Sequence, residues 1–291
     1  MYQAIKKLFW FQFILLSSLC YGNTAETGPP RIGNFALPTS QQPGAFISFG
    51  GNIIDKNQTQ LFLFADDYFG VKRHSVDLIP SVLYGIADNF SIFLNMPIAA
   101  SFKADDNRSS GLEDAFVQFE YAYHNGKTKS FEDQATLVVN MTFPTGSSNK
   151  IPPTGFGSPS FFLGATYNLM YVDWFWFTSH GVVLATNHHD TKFGDQFLYE
   201  LGFGRNICDI DSKWIFAWML EVDGTYSGKN TLHGSIDPNS GGNVIYITPS
   251  LWISSKKLIF QIGAGWAATE HLFGNQKKEN YLLAANVGWT I

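Results

Sequence analysis

The sequence is poor in charged residues. Asp, Glu, Lys and Arg make up 15% of its 291 residues, whereas about 25% is usual for a soluble domain. It also lacks long apolar runs outside its N-terminus, and its mean hydropathy of −0.03 excludes a protein built from several membrane-spanning helices. Aromatic residues, by contrast, reach 16%, and there are 27 glycines. This composition is typical of a transmembrane β-barrel, because alternation along each strand dilutes the apolar signal.

Cysteine is nearly absent, since only Cys20 and Cys208 occur. Residues 1–22 predict a secretory signal peptide, because two lysines precede an apolar run that is too short to cross a membrane as a helix. We expect cleavage after Gly22. A lipoprotein signal is disfavoured, because such a signal needs a small residue just before the cysteine and Leu19 stands there.

Removal of the signal peptide has two consequences. It leaves Cys208 alone, which excludes an internal disulfide in the exported protein. It also leaves seventeen basic against twenty-four acidic residues, a net charge of −7. A mildly acidic protein is a poor partner for nucleic acid, which binds a basic face.

Alternation of apolar and polar residues with period 2 recurs along the rest of the chain. In 213–226 the alternation predicts that Leu220 faces outward and Glu221 inward, and in 257–268 that Phe260 faces outward and Gln261 inward. A soluble β-sandwich would alternate as well. Lys and Arg, however, fall in predicted turns, loops or strand ends, which indicates lipid, because a bilayer midplane penalises a cationic side chain by about 2–4 kcal/mol.

The pattern predicts an all-β fold: a closed transmembrane antiparallel β-barrel of about twelve strands. The expected strands are 58–69, 74–86, 89–100, 112–124, 132–143, 158–169, 173–186, 195–206, 213–226, 242–253, 257–268 and 280–291. Either 58–69 or 44–53 supplies the first strand, and 58–69 is favoured because 70–73 then forms a tight hairpin. A count of fourteen stays open. Pro80 and Pro249 lie inside strands and are interpreted as bulge positions.

The domain organisation follows from these strands. Residues 23–57 form an N-terminal leader, which could tuck into or under the lumen, and 58–291 form the barrel. Connections at 101–111, 144–157, 187–194, 227–241 and 269–279 are mostly longer than those between them. Outer-membrane barrels have short periplasmic turns and longer outer loops. We therefore expect the outer membrane of a Gram-negative bacterium, with both termini in the periplasm.

Tryptophans support the same placement. Trp174, Trp214, Trp252 and Trp289 are expected near the periplasmic interface and Trp266 near the outer one, as in aromatic girdles.

Polar residues on the inward face predict the lining of the lumen or a ligand site. They are Gln118, Glu120, Asn140, Glu200, Glu221, Asp223, Gln261 and Asn286. Acidic residues without Lys or Arg beside them favour cations or neutral solutes over anions. Polar side chains can equally well be ordinary filling of a small barrel.

Several segments resemble the outer-membrane family named for the meta-pathway of phenol degradation. They are PSVLYGIADNFSIFLNMPIAASF at 80–102, GLEDAFVQFEYAYH at 111–124, LVVNMTFPTGSSN at 137–149, TGFGSPSFFLGATYNL at 154–169 and ITPSLWISSKKLIFQIGAG at 247–265. The resemblance implies a small barrel that passes hydrophobic or aromatic compounds. The chain departs from that family at its last residue, where Ile291 replaces the usual aromatic.

Catalytic chemistry finds little support. Ser179 and His180 are adjacent in a strand and so point to opposite faces. The cluster His188, His189 and Asp190 is interpreted as a polar loop, with a metal site as the alternative. The sequence predicts no catalytic residue, no metal and no cofactor.

Two functional hypotheses of different classes remain, besides an outer-membrane enzyme as a third. The first is a passive channel or transporter for small hydrophobic or aromatic molecules. The second is a closed structural or surface-interaction barrel that acts through its outer loops. The expected partners are outer-membrane lipid, a small-molecule solute and, during biogenesis, the barrel-assembly machinery.

Overall fold

The computed structural model describes residues 28–187 and 190–291. The predicted signal peptide and the pair His188–His189 lie outside the described residues. Within the described ranges, no helix is both long enough and apolar enough to cross a membrane. Two short 3₁₀ turns, Gly33–Phe35 and Thr39–Gln41, precede the strands.

Sixteen strands follow in the described part of the chain. They are β1 (Thr59–Gly70), β2 (Arg73–Ala87), β3 (Phe90–Asn95), β4 (Ile98–Ala104), β5 (Asn107–Leu112), β6 (Phe116–Lys127), β7 (Phe131–Thr142), β8 (Ser160–Tyr171), β9 (Trp174–Ala185), β10 (Gln196–Ile210), β11 (Trp214–Ser227), β12 (Thr231–Leu232), β13 (Ser235–Ile236), β14 (Gly242–Ser255), β15 (Leu258–Leu272) and β16 (Glu279–Thr290).

The sheet closes on itself, because β1 pairs antiparallel with both β2 and β16. β3 and β4 lie end to end beside β2 and together form one strand of the barrel wall. β5 and β6 form the next strand in the same way. The separate hairpin β12–β13 lies in the connection between β11 and β14. The predicted closed antiparallel barrel of twelve strands is thus confirmed. Closure leaves the barrel without a free edge along most of its wall.

Alternation along the strands separates an outer from an inner face. In β11, Leu220 is 39% exposed whereas its neighbour Glu221 is fully buried. In β15, Phe260 is 40% exposed whereas Gln261 is 3% exposed. The large apolar side chains therefore lie outside and the smaller or polar ones inside, as lipid on one face requires.

The two ends of the barrel differ in their connections, and we name them accordingly. At the short-turn end, two or three residues join the strands, for example between β8 and β9. The long-loop end carries the connections 143–159, 186–195, 228–241 and 273–278. The prediction of a long connection at 101–111 is wrong, because β4 and β5 continue the wall there as a hairpin with its turn at 105–106. Lys103 and Arg108 consequently lie in strands.

The wall is interrupted beside this hairpin. β3 ends at Asn95 and β4 begins at Ile98, so the ladder breaks at Met96 and Pro97. Pro80 lies opposite the break, where its carbonyl accepts the N–H of Met96. The absence of an N–H on Pro80 therefore leaves no carbonyl of the neighbouring strand without its ladder hydrogen bond.

Pro249 lies at a similar gap, because the pairing of β14 with β15 skips residues 248–249. Neither Pro80 nor Pro249 lies at a register shift. The interpretation of these prolines as bulges is wrong: each occupies an interruption of the ladder, where no N–H is required.

Residues 28–58, the inserted segment, run into the lumen and back. Near the short-turn end, the Asn34 N–H donates to the Val172 carbonyl. The segment then reaches the middle of the barrel and returns to the same end, where the Asn57 N–H donates to the Gly85 carbonyl. Gly85 permits this close approach, because a Cβ there would collide with the carbonyl oxygen of Asp55. The inserted segment packs most of its side chains against the wall.

The core lies between this segment and the wall near the short-turn end. Its buried members include Leu37 and Phe46 from the segment and Phe175, Phe177 and Ile215 from the wall. Apolar burial of this kind stabilises the segment inside the barrel by about 25 cal/mol per Å² removed from water.

Candidate functional site

Glu221 holds the middle of the inserted segment. Its carboxylate accepts backbone N–H groups from Phe46 and Ile47, each at 3.0 Å, and from Ser48 at 3.4 Å. Glu221 is fully buried. Three converging N–H donors can compensate a buried carboxylate without a cation, since hydrogen bonds to a charged acceptor are the stronger ones.

Two further carboxylates continue this contact. The Ser48 hydroxyl donates to Asp223 Oδ1 at 2.8 Å, and the Phe49 N–H donates to Glu200 Oε2 at 3.1 Å. Glu200 and Asp223 face each other across β10 and β11. The inserted segment therefore brings donors to carboxylates that would otherwise repel one another.

Glu120 binds the returning half of the segment. It accepts the backbone N–H of Asn52 at 2.9 Å and the Asn52 amide at 2.7 Å, and Gln118 donates to it at 2.7 Å. Asn140 in turn donates to Gln118 at 3.4 Å. We call Glu120, Glu200, Glu221 and Asp223 the clamp carboxylates. Within the described ranges, no ion pair involves any of them.

The structure thus divides the eight residues expected to line the lumen. The four clamp carboxylates and Asn140 lie inside the barrel but are absent from the walls of its open space. The other three, Gln118, Gln261 and Asn286, line that space. Asn286 donates to Gln261 at 2.6 Å. Their role toward a ligand remains a prediction.

The open space is a cavity of about 310 Å³, here called the chamber, between the inserted segment and the wall. Its main wall is built by inward side chains that pair across β1, β2, β3 and β6. One row consists of Gln60, Leu83, Phe93 and Gln118, and the next of Phe62, Ser81, Asn95 and Phe116. All of these except Ser81 line the chamber, so this side combines three phenylalanines and Leu83 with the polar side chains of Gln60, Gln118 and Asn95.

Aromatic rings in the chamber contact one another. The Phe62 and Phe64 rings stack with centroids 5.5 Å apart, and the Phe93 ring lies 6.0 Å from Phe62 at a steep angle. Ile54 from the inserted segment packs with Phe93 and Leu83. A preformed space of this size that combines aromatic rings with polar groups can hold a small ligand.

Above the chamber, toward the long-loop end, lies a second cavity of about 230 Å³, here called the vestibule. Its lining includes Asp77, Glu113 and Glu279, with Arg73 as a cation. Tyr68 lines both cavities, so that they adjoin at its side chain. Asp66 of the chamber pairs directly with Asp77 across β1 and β2. The approach from the long-loop end is thus mainly acidic.

The sequence did not predict these aromatic positions. In β1, residues 61–64 are Leu-Phe-Leu-Phe, which is apolar on both faces. An apolar inner face indicates either an apolar lumen or an apolar filling of the barrel. The apolar run at 61–64 is therefore the one sequence feature that could have predicted the aromatic wall. Trp252 is a related correction: it is 7% exposed and lines the chamber, and so does not belong to an outer girdle. Trp214 and Trp289 do lie on the outer face.

The candidates for other chemistry are separated. The Ser179 hydroxyl donates to the Phe49 carbonyl inside the barrel, whereas the His180 ring contacts Thr178 on the outer face. Within the described residues, no cluster of three His, Cys, Asp or Glu side chains is suited to a metal. Of the loop cluster, only Asp190 is described.

The comparisons concern the fold. No protein-family model matches the sequence, and no curated protein matches it. Among solved structures, the chain is similar to the COG4313 outer membrane channel from Pseudomonas putida F1, with a TM-score of 0.63 and 15% identity, over 84% of this chain and 100% of that one. It is also similar to the NanC porin, with a TM-score of 0.47 and 10% identity, over 79% of this chain and 98% of the porin, and to the KdgM porin, with a TM-score of 0.40 and 10% identity, over the same shares of the two chains.

The class of the fold follows from the closed twelve-stranded wall together with the first of these similarities. The chain has the fold of an outer-membrane β-barrel. At 15% identity this similarity extends to the fold alone.

Proposed function

We propose that this protein is a passive outer-membrane channel for small hydrophobic or aromatic molecules, and that the chamber is their path beside the inserted segment. The single observation that carries the proposal is the aromatic wall of Phe62, Phe64, Phe93 and Phe116 facing an open space. The similar fold of the COG4313 outer membrane channel accords with it.

Size limits the solute. A cavity of about 310 Å³ is at the lower end of ordinary ligand pockets, which span about 300–1,000 Å³. The inserted segment fills much of the remaining lumen. We therefore expect single-ring aromatics and similar molecules, and exclusion of large hydrophilic solutes.

The orientation belongs to the same proposal. The long-loop end would face the exterior and the short-turn end the periplasm, with both termini at the periplasmic end. Solutes would then meet the acidic vestibule first and the chamber second. No catalytic step is part of the proposal.

Uptake of a small neutral aromatic by bacteria with an intact lipopolysaccharide leaflet tests it. Ile79 lines the chamber, so Ile79→Trp should fill it and reduce uptake to the level of cells without the protein. Val82 lies on the outer face of the same strand and is 38% exposed, so Val82→Trp should leave uptake unchanged. Equal uptake by cells with and without the protein would contradict the proposal.

A closed structural barrel is the second candidate, and the hydrogen bonds of the clamp carboxylates favour it, because they fix the inserted segment in the lumen. In that case the long loops would carry the function. Deleting the loop 143–159 or 228–241 would then abolish binding of a surface partner, and Ile79→Trp would have no effect on any solute.

A further inference from the structure

Within residues 28–187 and 190–291, the side-chain amide of Asn95 carries a hydrogen-bond donor without an acceptor. Its side chain is 6% exposed. The Ser81 hydroxyl donates to its Oδ1 at 2.7 Å. Its Nδ2 is buried and has no partner. A buried donor without an acceptor is costly, so its presence calls for an explanation.

The surroundings of Asn95 are those of a ligand site. Asn95 lines the chamber, in the same row as Phe62 and Phe116 and beside Phe93 on its own strand. A flat apolar molecule against these rings would place one edge near the free amide. The indole N–H of Trp252, also buried and without a partner among the described residues, is a second donor in the chamber.

The charges nearby restrict the ligand further. Asp66 lines the chamber, and Asp77, Glu113 and Glu279 line the vestibule above it. Arg73 is the cation on the vestibule wall, and its guanidinium lies over the Phe102 ring at 5.2 Å. An anionic ligand would have to pass several carboxylates, which oppose it.

We propose that the chamber binds a neutral, flat apolar molecule that carries an acceptor oxygen, such as an aryl ketone or ester, and that Asn95 Nδ2 donates to this oxygen. The inference rests on the proposed function for the route to the site and deepens it by naming the ligand class. Phe62, Phe93 and Phe116 contact the apolar body, and Ser81 positions the amide. A site with an unpaired donor discriminates against analogues that lack the acceptor.

Matched ligands test the site at equilibrium. Acetophenone and isopropylbenzene have nearly the same shape, and only the first has an acceptor oxygen. Affinities are measured by ligand-observed NMR titration of the purified, folded full chain, with benzoate as the anionic probe. We expect acetophenone to bind about 3- to 10-fold more tightly than isopropylbenzene, the range of one hydrogen bond, and benzoate to bind more weakly than both.

Variants assign the preference to Asn95. Asn95→Leu and Asn95→Asp both remove the amide donor, one with an apolar and one with a polar side chain, and both should abolish the preference for acetophenone. Asn140 faces inward from β7 but does not line the chamber, so Asn140→Leu should keep the preference. Heat-modifiable gel migration checks that each variant is folded.

Three results would overturn the inference: equal affinities for the two ligands in the parent protein, a preference that survives both Asn95 variants, or tight binding of benzoate. Because binding is measured without transport, a preference that requires Asn95 supports the site even where uptake fails. An absent preference overturns the site even where uptake is observed.

Discussion

The two sides of the barrel wall differ in the side chains that they present to the lumen. From β6 to β11 the inward wall carries the clamp carboxylates, which accept N–H groups of the inserted segment. From β1 to β3 the inward wall carries Phe62, Phe64 and Phe93 among polar side chains and borders the open chamber. The anchoring contacts and the chamber thus lie mainly on different strands of one closed sheet, and they meet on β6, where Gln118 lines the chamber and donates to Glu120.

The difference teaches how a small barrel can be filled and still offer space. A buried carboxylate needs donors, and the backbone of a short inserted segment supplies them at Glu221 without any lysine or arginine. The aromatic side needs no such partner. The segment is therefore drawn to the clamp side, and the chamber remains on the other.

Removal of the segment should produce the largest effect. A variant lacking residues 28–54 loses all of the segment's donors to the clamp carboxylates, so that only the Gln118 amide still donates to Glu120, and it opens the lumen beside the chamber. We expect its single-channel conductance in planar bilayers to rise several-fold, with selectivity for cations because four carboxylates become exposed. Folded barrel with unchanged conductance would show that the segment does not obstruct the lumen.

Both sides of the comparison depend on the register of the strands, and the next prediction tests it. Leu220 faces outward and Gln261 inward. Leu220→Arg should cost about 2–4 kcal/mol or block assembly, because it places a cation in lipid. Gln261→Arg should still assemble. Heat-modifiable migration of the two variants measures this, and equal tolerance would refute the assignment of the faces.

Loss of one clamp should loosen the segment locally. Glu221→Ala leaves the N–H groups of Phe46, Ile47 and Ser48 without their acceptor, at a cost of about 1–3 kcal/mol for a buried donor. Hydrogen exchange of peptides covering 44–54 should accelerate by tenfold or more. Glu132→Ala is the control, because Glu132 forms an ion pair with Lys127 near the short-turn end and no hydrogen bond or ion pair with 44–54. Unchanged exchange in Glu221→Ala would contradict the clamp.

A change on the aromatic side should have the smallest effect. Phe64→Leu keeps an apolar side chain but removes ring contacts worth about 0.5–1.5 kcal/mol. Affinity for an aromatic ligand should fall about 2- to 10-fold. Phe177 is buried on the clamp side and does not line the chamber, so Phe177→Leu should leave the affinity unchanged. A similar loss in both variants would remove the distinction between the sides.

Most of the fold could be predicted, because lipid imposes a period of 2 that a sequence displays directly. Leu220 and Phe260 show it most clearly. The break at Met96–Pro97 could not be predicted, since it arises where Pro80 and Pro97 lie near each other on neighbouring strands. The sequence does not show which strand positions are neighbours. The same holds for the hairpin at 105–106, because its polar residues are equally typical of a loop.

The candidate site was less accessible from sequence. The sequence does not show whether Glu221 and Glu120 face water or a backbone N–H. Only the path of the inserted segment distinguishes these environments. Phe62 and Phe93 alternate with apolar neighbours, so periodicity alone does not say which of them faces inward. Asn95 is recognised only in the folded barrel, where its amide lines the chamber and lacks an acceptor among the described residues.

The central claim is that solutes pass beside a fixed segment, and one cross-linking measurement tests it most directly. Ser48 Oγ and Asp223 Oδ1 lie 2.8 Å apart, so cysteines at both positions can be joined by a short thiol-reactive linker in a background lacking Cys208. Uptake of a small neutral aromatic is then compared before and after linking. The account predicts that uptake persists with the segment locked to the wall. Uptake that stops on linking and returns on cleavage of the linker would show that the segment itself must move, and would contradict the account.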